Sequence, residues 1–340
     1  MRPATRPAPS PGSSGPPSAE MFRHLDRIDP WLKRMDPAGP HERPQERSTL
    51  SRDNKEMHPY QLSQAAWHAL SHAVDHLNCL RTVLKDAHVM HMYAPYSLAR
   101  AALQNASAAV WLLAPDDRAE RVRRRLRFAA LDIKGGEAVR ELLGAPEGRK
   151  PAEARTEQLR EIARRRGVDP TTAVRRLTYG ENVEAAGDTM PGGRVPFVLT
   201  WKMCRAIAHG DSWATINVVS QEEIPGAPSG LAHLKITADP KTLFFAVFFA
   251  VSMTAAGWRL YDDRSRRIRT QRDVTLSVGT VQTQRTARGW RSPPPRPTAR
   301  GWSAVRSVAS CAGRRQPGHQ LPCFGPVLGH GLGSACILAG

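Results

Sequence analysis

Apolar side chains recur at spacings of three and four along the middle of this chain. From Pro59 the stretch HPYQLSQAAWHALSHAVDHLNCLRTVLKDAH puts Trp67, Leu70, Val74, Leu77, Leu80 and Leu84 on one face, which predicts a helix. A second stretch from Pro95, YSLARAALQNASAAVWLLAP, is Ala-rich and apolar nearly all round, the pattern of a central helix, and Pro115 stops it. Asp116 and Asp117 predict the cap and acidic first turn of a third helix, DDRAERVRRRLRFAALDIKGGEAVRELLG. Its Val122, Leu126, Ala129 and Ile133 face inward, its arginine cluster is expected on the solvent side, and Gly135-Gly136 predicts a kink or a break.

After the loop at 145–152, a fourth helix is expected from about Ala152 to Arg166, stopped by Gly167. Asp169-Pro170 restarts a short fifth, and a sixth opens near Pro196 with FVLTWKMCRAIAHG. The period then falls to two: ATINVVS (214–220) and LAHLKITAD (231–239), joined by EEIPGAPSG, predict one hairpin. Asp239-Pro240 caps a last helix, KTLFFAVFFAVSMTAAGWRLYDD. The expected fold is mainly α, a helical bundle of about six or seven helices with one β-hairpin before the last helix. Its run Leu243 to Gly257 is short of the roughly 20 residues that span a bilayer, so a buried core helix is expected and no membrane partner.

The helical patterns occupy residues 57–264. Residues 1–56 and 265–340 are rich in Pro, Gly, Ser and Arg, and both are expected to be disordered tails around one domain. Either tail admits another origin, an over-extended start before Met57 or a frame-shifted or run-on reading frame after Arg264. The net charge of +18 is concentrated at the C-terminus, where residues 265–340 carry 12 basic and 1 acidic side chains against 27 and 22 in 57–264. The basic tail therefore predicts weak, salt-dependent binding to nucleic acid, while the folded part is only mildly basic. Five cysteines without a CxxC, and no apolar leader, point to a reducing, cytoplasmic setting. A homodimer through the Ala-rich or the Phe-rich helix is a further expectation.

Candidate chemistry is sparse. His68, His72 and His76 share a helix face, but Ala69 stands where a metalloprotease motif needs Glu, so neither a metal site nor a cofactor is assigned. Residues 159–177, LREIARRRGVDPTTAVRRL, have the look of a helix-turn-helix in which Arg175 and Arg176 would contact DNA. Arg205 and His209 in WKMCRAIAHGDSW stand four apart on one helix face, where an Arg–His pair can position and protonate a phosphate leaving group. Equally, a histidine in a last helical turn favours the helix dipole.

Three segments, YSLARAALQNASAAVWLLAPDDRAERVRRRL (96–126), the RRG near 164–167 and MCRAIAHGDSWA (203–214), resemble in content and order a group of uncharacterised helical proteins common in high-GC Gram-positive bacteria. That resemblance covers roughly 57–264 and implies a fold, not an activity. More distantly, Arg-x-x-x-His-Gly at a helix end is similar to the motif of HEPN domains, helical bundles of which many are ribonucleases. This similarity implies Arg205 and His209 as catalytic residues of a metal-independent RNase or RNA-binding protein. The chain departs from it in having three residues between Arg and His, where the family usually has four to six, and Ala206 after the Arg. Three readings leave the sequence: a helical protein of unassigned activity, a HEPN-like RNase, and a helix-turn-helix regulator.

Overall fold

The computed structural model describes residues 17–36, 38, 42–144, 151–225, 231–266 and 334–338. Along them run α1 (Pro17–Asp26), α2 (Asp29–Arg34), α3 (Thr49–Glu56), α4 (Leu62–Arg81, continued by a π-turn, Thr82–Asp86), α5 (Ala94–Leu113), α6 (Arg118–Leu142), α7 (Ala152–Arg165), α8 (Pro170–Ala173), α9 (Tyr179–Gly187), α10 (Arg194–His209), α11 (Ser212–Asn217), β1 (Ser220–Ile224), β2 (Leu231–Thr237), α12 (Pro240–Ser265) and β3 (Ser334–Leu338). The fold is mostly helical, with an antiparallel hairpin before the last long helix, as expected.

Helix α5 is the axis. Its small alanines let α4, α9, α10 and α12 close around it, and Tyr96, Ala102, Leu103, Ala106 and Val110 are all sealed. On its remaining side Ser97, Arg100, Ala101, Gln104 and Asn105 keep partial exposure. The apolar α12 passes a length and composition test for crossing a bilayer, yet more than half of that stretch is buried inside the protein. Gly257 explains how it packs so closely, since a Cβ there would come within 2.7 Å of Leu70 Cδ2 on α4. Two apolar clusters share these helices. One gathers α1, α9 and α10 around the first part of α12, and the other gathers α3, α6 and α7 around the start of α4 and the end of α12.

The folded region begins before the expected boundary at 57. Met21 and Leu25 of α1 and Ile28, just before α2, spaced four and three apart, form a buried stripe in the cluster that α12 and α4 share, and Leu50 is buried from α3. Ion pairs Lys85–Asp26 (2.5 Å) and Arg81–Asp29 (2.5 Å) fasten this layer. Three anchoring residues in a Pro/Ser/Gly-rich context are too few to stand out as a period, so the expected tail over 1–56 is corrected from residue 17 onward. The C-terminal tail lies outside the described residues apart from the end of α12 and strand β3, whose backbone pairs antiparallel with β2.

The hairpin is shorter than its sequence pattern suggests. Residues 212–217 form α11 rather than a strand, and β1 starts only at Ser220, paired with Thr237. Asp211 opens α11 right after α10, and a short helix fits before the chain extends. Helix α6 runs straight through Gly135-Gly136 without a break. Helix α9 occupies ground where the sequence pattern predicts no element, and its Thr178–Glu181 pair forms a reciprocal capping box.

Candidate functional site

The arginines of α6 depart furthest from expectation. The cluster expected on the solvent side places Arg121, Arg125 and Arg127 at 3%, 8% and 6% exposure. They flank the apolar stripe of Val122, Leu126 and Ala129, and neighbouring segments close over them. Arg121 is fully engaged: its Nε donates to Asp53 Oδ2 at 2.7 Å, and Nη1 to the carbonyls of Pro115 (3.0 Å) and Asp116 (2.7 Å). Asp53 has no exposed surface and also accepts from Arg118 Nε at 3.2 Å. Arg127 donates to the carbonyls of Arg175 (3.3 Å) and Arg176 (2.9 Å) and to Glu181 (3.3 Å). These two arginines are struts between segments.

Arg125 differs. Among the described residues only its Nε finds an acceptor, Gln61 O at 3.1 Å, and Nη1 is sealed from solvent without a partner there. Its guanidinium lies 5.9 Å from the Tyr60 ring centroid. Burial pushes its pKa down from 12.5 to about 10, with Asp132 and Tyr60 pulling back. A guanidinium keeps its proton at any working pH, so the depression is a cost of folding, about 3 kcal/mol.

Arg125 lines an open groove of about 1560 Å³. One wall is α4, another α6, and the rim is α3 with residues 34–36 and 42–44. Two hydrogen bonds tie the rim to one wall. The first turn of α4 lacks a side-chain cap of its own, and Asn54 of α3 supplies one: its Oδ1 accepts from Ser63 N (3.0 Å) and its Nδ2 donates to Ser63 Oγ (2.7 Å). At the far rim Arg34 pairs with Glu42 and Asp262 and sits 4.2 Å from the Trp258 ring centroid. Burial opposes its charge, but these two carboxylates outweigh burial and hold its pKa above the ordinary value.

His68 and Asp132 face the same groove. His68 Nε2 lies 3.1 Å from His72 Nε2, so one ring donates to the other. Burial lowers the pKa of His72, with His68 and His76 adding to the effect. The Asp132 carboxyl is reached by solvent through the groove yet crowded by protein. That crowding raises its pKa against the pull of Arg125, His68 and Arg155. Among the described residues no three His, Cys, Asp or Glu side chains converge as a metal set.

The residues singled out in the sequence lie elsewhere. Arg205 and His209 are both exposed on α10, Arg205 with its Cζ 5.9 Å from the Trp201 ring centroid, and neither lines the groove. His209 is the last residue of α10, and Gly210 (φ 77°) ends the helix in a left-handed turn whose follower, Asp211, donates its N–H to Ala206 O at 2.9 Å. The glycine after His209 is therefore a helix stop. The Gly167 turn has the same build, with φ 66° and Val168 N donating to Ala163 O at 3.0 Å. Asp169 then caps α8 through Thr171 N and Thr172 N. Helix α8 is a single turn, and beyond it the chain is non-helical until α9. Arg175 and Arg176 are exposed past that turn, and Arg175 lies 3.7 Å from Glu181. The structure thus brings no recognition helix to these arginines.

No protein-family model, curated protein or solved structure matches the chain.

Proposed function

We propose that this chain is a ligand-binding helical protein whose site is the groove between α4, α6 and the rim of α3 with residues 34–36 and 42–44. The observation that carries the reading is the convergence in one large open concavity of polar side chains from separate helices, Asn54, Gln61, Gln64, His68, Arg125 and Asp132 among them. Functional sites favour such concave, mixed polar surfaces with perturbed titratable groups. A cytoplasmic setting belongs to the proposal, supported by Cys79 and Cys204 as free thiols. The test is a ligand-observed screen of small uncharged and charged molecules against the full chain and Gln64→Trp, which plugs the groove from an exposed position. Ligands that bind the parent and not the plugged variant are expected. A hit set indifferent to Gln64→Trp removes the reading.

A second reading keeps Arg205 and His209 as a HEPN-like RNA site, supported by their shared exposure at one end of α10. RNA cleavage without added metal, lost in Arg205→Ala and in His209→Ala but kept in Gln64→Trp, is what that reading requires. A wild type inactive on several RNAs ends it.

A further inference from the structure

We infer that the ligand of the groove presents an oxyanion, a carboxylate or a phosphate group, to the guanidinium of Arg125. The inference rests on the groove being a ligand site. A guanidinium carries five N–H donors in a planar fork, and Arg125 has one of them matched to a protein acceptor. Nη1 is buried and unpaired, and among the described residues no carboxylate lies within ion-pairing distance of Arg125. This is not a general property of α6, because Arg121 and Arg127, within about one turn on either side, have both acceptors and carboxylate partners. A positive charge left this way inside a protein is costly, and an oxyanion in the adjoining groove offsets it through a charge-assisted pair.

Without Arg125 the charged lining of the groove balances, with Arg34, Arg43 and Lys55 against Asp36, Glu42 and Asp132. Arg34 is neutralised by Glu42 and Asp262, whereas Arg43 and Lys55 line the groove without ion-pair partners among the described residues. Arg125 therefore supplies the one surplus positive charge of the lining. The alternative occupant, a metal on His68 and His72, lacks a third ligand among the described residues.

The experiment uses the full chain, with Trp67 in the groove wall as a fluorescence reporter, titrated separately with inorganic phosphate and with benzoate. Ionic strength is held constant with chloride. A saturable change with at least one anion is expected, and the arm that responds tells phosphate from carboxylate. Arg125→Met should weaken the midpoint at least about tenfold, as loss of a charge-assisted pair does. Arg125→Lys, which keeps the charge and loses the fork, should weaken it by a smaller factor. Absence of saturation with both anions, or saturation that Arg125→Met leaves unchanged, overturns the inference. If uncharged molecules still bind in a manner that Gln64→Trp blocks, the groove reading survives and only the oxyanion is lost. If nothing responds to Gln64→Trp, the groove reading falls with it.

Discussion

Arg121 and Arg125 stand one turn apart on α6 at nearly equal burial, and their surroundings are opposite. Around Arg121 the fold assembles a carboxylate without exposed surface and two main-chain carbonyls. Around Arg125 it offers one carbonyl and an open groove. The difference separates two uses of a buried charge. A charge with a full set of partners ties segments together, and its removal is felt as instability. A charge with too few partners is a standing cost, retained where something outside the chain completes it.

The contrast breaks most violently at Asp53. Asp53→Ala should cost about 3–5 kcal/mol in equilibrium unfolding, because it strands Arg121 in the interior. Arg127→Met and Arg125→Met make the same chemical change two residues apart and should differ in sign. Arg127→Met leaves the carbonyls of Arg175 and Arg176 and the carboxylate of Glu181 without their donor and should destabilise by roughly 2 kcal/mol. Arg125→Met removes the cost of about 3 kcal/mol and loses one hydrogen bond of about 1, a net gain near 2 kcal/mol. Away from α6, Arg205→Ala and His209→Ala should each stay within about 0.5 kcal/mol of wild type and leave anion titrations unchanged, since both side chains are exposed. The smallest effect concerns α1. His24 stands edge-on to Phe248 at 5.1 Å, and burial lowers its pKa below 6.5, with Arg27 next in effect and Glu20 opposing. Its neutral form is the one the fold favours, so stability should be full at pH 7 and decline as pH falls through the histidine range. The decline should be absent in His24→Phe.

The helical layers were legible because they repeat. Leu70, Val74, Leu77 and Leu80 form a stripe that needs no partner to be recognised, and the Asp117 and Asp239 caps fell where acidic residues precede a helical pattern. Layers with few anchors were not legible: Met21, Leu25 and Ile28 acquire meaning only against the Phe-rich face of α12, more than two hundred residues away. The groove was invisible for the same reason. Arg125 belongs to a run of arginines that reads as a solvated face, and the groups beside it, Gln61 O and the Tyr60 ring, come from the turn before α4. One local signal was available. Arg121 and Arg125 sit four apart beside Val122 and Leu126, at the border of the apolar stripe, where a long side chain can be covered. The motifs that did stand out, around Gly167 and Gly210, are the punctuation of helix ends, which is why they were conspicuous in sequence.

The central claim is that the charge on Arg125 is incompletely compensated in the free protein. The most direct measurement is the unfolding free energy of wild type and Arg125→Met, side by side in a buffer free of phosphate and carboxylates. An incompletely compensated charge predicts a variant at least as stable as wild type, by about 2 kcal/mol in its favour. A variant less stable by a similar margin would make Arg125 one more strut of the fold and contradict that claim.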